Sequence, residues 1–430
     1  MKYAGTPKLG SSGVGWWRRF EDQAAVGGAG RRRMSAQVLD GRRVIDIATL
    51  AAGPWIAQRL GDFGADVIKV EQPGIGDHQR RWGSQKNGEP IFWKSIARNK
   101  RSVALDLRRP GGVRALKRLL TGADVLVENF RPGTLERWGL GPDVLLALNP
   151  GLVIARVTGF GQDGPYRDRP GFGTIAEGMS GFPHMTGAAD GPPTLPSMPL
   201  ADGVAGITGA FAVMLALYHR DVNGGGGQVI DIALTESLLP LMEPTLLDWD
   251  QLGANLRRTG NTISHVAPRS AYECADGQWV ALSASAQSIY ERLARAIGRP
   301  ELIADPRFAD NQARVINADL LDQIIGKWMA RFPREEVLRR MDEAEVAVGP
   351  IYDLPSVYAD PQFRARGSFT TVDDPVLGPM RLVAVTPRLS ATPGRIRHTG
   401  PSLGQHSAEV FAEFGIDPAD ASGVPTEARA

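Results

Sequence analysis

Hydrophobic residues in the first 230 positions fall into short runs separated by amphipathic stretches. Residues 44–48 (VIDIA) form a compact apolar block. Residues 54–63 carry apolar positions at helical spacing behind a proline, and residues 67–71 (VIKVE) form a second block closed by Gln72-Pro73-Gly74. The pattern then repeats, predicting strands at 103–107, 125–127 and 153–157 and helices at 111–120 and 143–148. Short buried strands alternating with helices of this length imply an α/β fold, its mostly parallel sheet covered on both faces with right-handed connections. Residues 203–219 are small and apolar and predict a buried helix. A glycine-rich turn, Asn223 to Gln228, leads into strand-like VIDIAL, and helical spacing resumes over 236–252.

Near Arg257 the pattern changes. Residues 270–274 and 279–283, joined through Ala275-Asp276-Gly277, predict a β-hairpin with an Asp-Gly turn, followed by helices near 289–297, 313–330 and 335–342. The chain thus divides into an extension at 1–35, expected to be disordered, and a large domain from 36–230 plus 350–430. A helical linker at 231–261 and a small α+β domain at 262–349 complete it. The Pro- and Gly-rich stretch after 350 has no core of its own and is expected to pack back onto the large domain. It ends in a helix near 408–414 and a frayed last dozen residues.

With 430 residues the chain can hold two cores. Forty-nine basic against 47 acidic residues give a net charge of +2, which supplies no global field for nucleic acid or an anionic membrane. Cys274 is the sole cysteine, so neither an intramolecular disulfide nor a multi-Cys metal site can form, and a reducing cytosol fits. The six histidines lack HExxH or comparable spacing, so no metal is expected. No uninterrupted apolar run reaches the roughly 18 residues of a membrane span. The longest, 207–218, reads as a core helix, and residues 1–33 lack the apolar region of a secretory signal. A cytoplasmic protein without membrane or nucleic-acid partners is therefore expected.

Candidate chemistry narrows to Asp202. It follows a Pro- and Gly-rich crossing and precedes the apolar helix, where it is expected to act as N-cap, and the positive end of the helix dipole favours an ionised carboxylate there. Gly159 to Gly164 (GFGQDG) formally matches GxGxxG after a strand. Pro165 and the following RDRPGF cannot continue the helix that a dinucleotide site needs, so a nicotinamide or flavin reading fails. Gly224 to Gly227 lack the Lys-Ser or Lys-Thr of a phosphate loop and read as a flexible turn.

Five segments in order, LAAGPWIAQRLGDFGADVIKVEQPGIGD, RNKRSVALDL, ADVLVENFRPGTLERWGLG, LNPGLVIARVTGFGQDGPYRDRPGFG and LADGVAGITGAFAVMLALYHR, resemble the family III CoA-transferases over about residues 38–415. That family includes formyl-CoA transferase, carnitine CoA-transferase and the related α-methylacyl-CoA racemase. The resemblance implies a Rossmann-like large domain, an interlocked homodimer, acyl-CoA and a small carboxylic acid as substrates, and no metal. It places the nucleophile on Asp202. It places the coenzyme A contacts on Ser95, Ile96, Ala97 and Arg98, on Asn129, Phe130 and Arg131, on Arg137, and on Gly171, Phe172, Gly173, Thr174, Ile175 and Ala176. Arg98, Arg131 and Arg137 suit the phosphates of coenzyme A, whereas Lys100 and Arg101 read as surface residues at the start of a strand. Phe172 stands where the racemases carry a histidine and Gly173 where they carry an acid. Proton exchange from two faces therefore lacks a base, unless a residue such as Glu177 replaces it, and transfer is favoured. A non-catalytic coenzyme A-binding dimer is the third alternative. Ala51, where formyl-CoA transferases carry glutamine, and a tetraglycine stretch earlier than theirs disfavour formate and oxalate. The donor expected by resemblance is succinyl-CoA, with a branched or hydroxy acid as acceptor.

Overall fold

The structure, a computed structural model, describes residues 37–419. The extension expected to be disordered and residues 420–430 lie outside the described residues. Contacts divide the chain into two units: one holds the described residues up to Gly173, Pro199–Ser237 and those from Gly367, the other Thr174–Met198 and Leu238–Arg366.

The first unit is built on six strands, β1 (Arg43–Asp46), β2 (Asp66–Glu71), β3 (Lys100–Ala104), β4 (Val125–Glu128), β5 (Val153–Thr158) and β6 (Val229–Ala233). All pair in parallel, in the order β3-β2-β1-β4-β5-β6. That is the Rossmann order, as the resemblance implies. Its helices include α1 (Ala52–Asp62), α2 (Ile91–Ile96), α3 (Pro110–Leu120), α4 (Pro142–Leu148), α5 (Leu200–Val222) and α6 (Ser407–Phe414). Ile45, Ile68, Val103, Leu126 and Ile154 pack with Leu116 and Leu119 of α3 and with Val410 and Phe411 of α6 in one core.

Strand β3 starts three residues before its predicted position because charge, not apolar bulk, anchors it. Lys100, expected at the surface, is 1% exposed; its Nζ donates to Asp46 Oδ2 at 2.9 Å and to the Pro54 carbonyl at 2.7 Å. Residues 91–96, which carry no clear helical signal, form α2.

Helix α5 is longer than predicted and only partly buried. Gly206 and Gly209 face α1, where a Cβ would approach Trp55 Cβ to 2.8 Å and Ile56 Cδ1 to 2.4 Å, so only glycine allows this packing. The opposite stripe, Ile207, Phe211, Leu215, Tyr218 and Val222, is more than half exposed, which corrects the expectation of a buried helix. By length and composition alone α5 could cross a bilayer, the one such helix among the described residues, with a mean hydropathy of 1.8 over 18 residues. Single polar residues interrupt the apolar run without lowering this average much.

Residues from 367, and not from 350 as read from the sequence, are counted with the first unit. They form an unforeseen hairpin, Phe369–Asp374 with Gly378–Val383. Asp374, 3% exposed, accepts from Lys94 Nζ of α2 at 3.1 Å, from the Val376 and Leu377 amides at 2.9 Å each, and from the Thr399 hydroxyl.

The second unit centres on an antiparallel sheet in the order β9-β8-β7, with β7 (Arg269–Glu273) and β8 (Trp279–Ser283) forming the predicted hairpin and β9 (Val348–Pro350) on the other edge of β8. Gly277 supplies the positive φ of the Asp-Gly turn. Tyr290, Phe308, Trp328, Met329 and Met341 fill the core beneath. The helix predicted at 313–330 is broken at Asn317 into Asn311–Ile316 and Ala318–Met329. The predicted linker is divided: its β6 belongs to the first unit and its helix Leu239–Leu252 to the second, together with residues 174–198.

Burial opposes ionisation of Asp374, but Thr399, the two amides and Lys94 outweigh it and hold its pKa at about 2. A depressed carboxylate stabilises the fold above its unfolded value of about 3.9 and loses that contribution as pH falls toward about 2. Asp374→Asn is expected to cost roughly 2 kcal/mol in urea unfolding at pH 7. The gap to the parent should narrow as pH drops below about 4; a gap independent of pH refutes the assignment.

Candidate active site

Strands β1 and β4 lie side by side in the sheet while the connections that follow them leave in opposite directions, which opens a crevice at their carboxyl ends. Two hydrogen bonds close the base of that crevice. The Thr49 amide donates to Asn129 Oδ1 at 2.8 Å, and Asn129 Nδ2 donates to the Thr49 carbonyl at 2.7 Å. The next residue, Leu50, has φ of 66°, a left-handed conformation costly for leucine, and its amide donates to Asp77 Oδ1 at 3.0 Å. Above lies a cavity of about 310 Å3 whose walls include Thr49, Gln72, Leu105, Arg108, Phe130 and Trp138. Phe130 and Trp138 meet edge to face at 5.1 Å.

The cavity floor is charged and internally matched. Lys69 Nζ lies 3.1 Å from Asp77 and 3.5 Å from Asp46 and donates to the Ala48 carbonyl. Burial would lower the Lys69 pKa, but Asp46, Asp77 and Glu71 outweigh burial and hold it above the usual value. Burial likewise opposes ionisation of Asp77, yet Lys69 and the Gln79 and Leu50 amides keep its carboxyl below the ordinary range. Glu71 is chelated by Arg80, at 2.7 and 2.8 Å, and receives the Ser102 hydroxyl at 2.6 Å. At the mouth, Arg108 rests on Asp106 at 2.8 and 3.0 Å and remains exposed.

The predicted residues separate into groups. Asn129 and Phe130 sit at the crevice, and Arg131 and Arg137 are exposed on the turn beyond it, where Arg137 Nη2 donates to Thr134 Oγ1 at 2.9 Å. Ser95 to Arg98 do not line this cavity. Ile96 and Ala97 are core, Ser95 accepts from Gln58 through its carbonyl, and Arg98 is clamped by Asp62 at 2.6 to 3.2 Å. Thr49, Gln72, Leu105, Arg108 and Trp138 were not foreseen. Four of them follow predicted strands or the Asn129–Arg131 motif closely, so the rule that ligands bind at strand carboxyl ends was the available signal.

Strand β5 ends at the glycines of GFGQDG. A Cβ on Gly159 would stand 2.6 Å from the Gly171 Cα, and the converse distance is equal, so the two backbones touch. This contact fixes Gly171, Phe172 and Gly173 beside the carboxyl edge of the sheet. A Cβ on Gly173 would lie 2.1 Å from Asp202 Oδ2: the carboxylate occupies the space that a side chain at 173 would fill. Phe172 is 58% exposed; Thr174, Ile175 and Ala176 continue in the helix Gly173–Met179, counted with the second unit. Asp202 is not the N-cap. Pro199 is, because the chain becomes helical directly after it, and Asp202 is the third residue of α5. It keeps its place in the first turn, where the helix dipole favours an anion. Ser237 Oγ holds this turn by donating to the Ala201 carbonyl at 3.2 Å. Among the described residues no group of three or more metal-ligating side chains is present.

A parallel sheet with a cavity at its switch point, outside the carboxyl ends of the strands, is where α/β proteins of this order take ligands, and the Asp202 carboxylate stands at the same edge on a helix first turn. The chain belongs to CoA-transferase family III, whose sequence profile matches residues 39–407, and it is a CoA-transferase. Succinyl-CoA–D-citramalate CoA-transferase of Chloroflexus aurantiacus is 46% identical over 377 residues, 87% of this chain and 94% of that protein. The beta subunit of succinyl-CoA–L-malate CoA-transferase from the same organism is 43% identical over 380 residues, covering 87% and 94%. Among solved structures, a CaiB/BaiF family protein from Brucella suis is 33% identical with a TM-score of 0.77, covering 88% of this chain and all of that one.

Gly173→Ala must push the Asp202 carboxylate aside. The expected result is a fall in kcat of about 100-fold, the scale of an ångström misplacement. Undiminished kcat would show that the carboxylate position does not matter.

Proposed function

We propose that the protein transfers coenzyme A from succinyl-CoA to a short hydroxy- or branched dicarboxylic acid, with Asp202 as covalent nucleophile. The observation that carries this is the seating of the Asp202 carboxylate against Gly173 at the sheet's carboxyl edge. The acids named for the two Chloroflexus relatives, succinate, D-citramalate and L-malate, support the substrate class. The adenosine end of coenzyme A is assigned to the cavity above Asn129, with its ring against Phe130 and its phosphates within reach of Arg108, Arg131 and Arg137.

Asp202 attacks the thioester carbonyl, forming an aspartyl-succinyl anhydride as the C–S bond breaks and coenzyme A leaves as thiolate. The thiolate then attacks the Asp202 carbonyl of the anhydride; the aspartyl-CoA thioester forms and succinate departs. The acceptor carboxylate runs the two steps in reverse, so no proton moves at any stage. Each acid involved is a carboxylate, which keeps the steps near balance. The first amides of α5 and the backbone at Gly171 to Gly173 are the oxyanion donors this mechanism requires.

Incubation with succinyl-CoA and hydroxylamine is expected to convert Asp202 to a hydroxamate, located by peptide mass spectrometry. Full turnover with Asp202 unmodified would refute the role. Asp202→Asn should abolish exchange while retaining coenzyme A binding.

The exposed stripe of α5 supports a homodimer, since a continuous apolar face on a helix this long calls for a cover. Light scattering should give twice the 46.3 kDa chain mass, and Phe211→Glu should shift it toward the single-chain value. A wild-type mass of 46.3 kDa in detergent-free buffer would exclude the dimer. A cytoplasmic location is the matching proposal, supported by the single buried thiol Cys274.

A further inference from the structure

The outer face of the three-stranded sheet in the second unit carries a depression of about 550 Å3. Strand alternation explains it. Tyr272, Val280 and Leu282 turn into the core, so Arg269 and Ala271 of β7 and Ala281 and Ser283 of β8 turn outward. The register sets Ala281 opposite both Ala271 and Gly349, giving a floor with almost no side-chain bulk, and sets Ser283 opposite Arg269 at one end. Ile351 closes the apolar end.

Arg269 is the one charged residue that lines the depression, and no carboxylate among the described residues is within ion-pair distance of it. Glu273, on the same face, stands at the far end of β7 opposite Trp279 and does not line it. The Arg269 Nη1 donates to the Asn261 carbonyl at 2.9 Å, which fixes the guanidinium and leaves its other edge for a planar anion. Ser283 adds a hydroxyl at the same end. A cation with no acid, a hydroxyl beside it and a small-residue floor make a carboxylate-binding site, with room along the floor for a short carbon chain.

We propose that this sheet face binds a short-chain carboxylic acid, its carboxylate held by Arg269 and Ser283 and its chain lying over Ala271, Ala281 and Gly349 toward Ile351. The site rests on the sheet and not on the substrate class proposed above.

Two variants test it without threatening the fold. Arg269→Gln removes the charge. Gly349→Leu fills the floor: its Cβ would meet nothing within 4 Å, and its backbone is outside the left-handed region. Calorimetry on the full chain, with no coenzyme A present, is expected to show saturable butyrate binding, weakened at least about tenfold in both variants. Inorganic phosphate should bind about tenfold more weakly than butyrate. Butyrate affinity unchanged in either variant overturns the site, and phosphate matching butyrate overturns carboxylate recognition. Hydroxylamine trapping at Asp202 needs succinyl-CoA and reads the reaction, whereas this titration reads binding alone, so the failure of either is seen separately from the other.

Discussion

Gly159 and Gly171 touch backbone to backbone, and a side chain on either would collide with the other's Cα at 2.6 Å. That contact joins the end of β5 to the segment ahead of Gly173, and Gly173 in turn yields its side-chain space to Asp202. These glycines permit close approach, and the Asp202 carboxylate is positioned by what its neighbours lack. Ser237 completes the arrangement by tying the first turn of α5 to the residues after β6.

Around the crevice the opposite device operates. The floor beneath Phe130 is built from Lys69, Asp46, Asp77 and Lys100, each nearly inaccessible to water. Burying charges is costly unless each is matched, and removing one partner leaves another uncompensated. Asp46 is shared by Lys69 and Lys100, and Asp77 is shared by Lys69 and the Leu50 amide. The network therefore pins the carboxyl end of β1 to β2 and to the first residue of β3, and at the same time holds Leu50 in its left-handed conformation. Rigidity at the crevice base follows from electrostatic matching, while the rim cations Arg108, Arg131 and Arg137 remain exposed.

The parallel sheet was legible because its strands are short and apolar, and the six observed strands fall on or beside runs that pattern alone identifies. Strand β3 was displaced in the reading because Lys100 and Arg101 look like solvent-facing charges until Asp46 and Asp66 are known to meet them. Arg98 is the same problem reversed: as a basic residue beside a family motif it suits a phosphate, yet Asp62, 36 positions earlier, takes its guanidinium at both oxygens. Long-range charge pairing leaves no periodic trace. Local signals also misplaced the helix cap, since Asp is the better capping side chain, but the chain turns helical directly after Pro199 and Asp202 is the third residue of the first turn.

Helix α5 shows why composition and position must be read together. Its average hydropathy is that of a membrane span, yet its apolar residues are sorted by face. The glycine side, Gly206 and Gly209, meets α1 at distances that exclude any larger residue, and the bulky side, Ile207, Phe211, Leu215, Tyr218 and Val222, points outward. A lipid-facing helix has no need of a glycine groove that matches a Rossmann helix, and a core helix has no need of five large residues in solvent. One face is thus committed to the fold and the other stays exposed, and Asp202 sits at the end of the helix where the fold-facing side begins. The helix that bears the exposed stripe is the helix that carries Asp202, so the glycine packing that seats one also sets the position of the other.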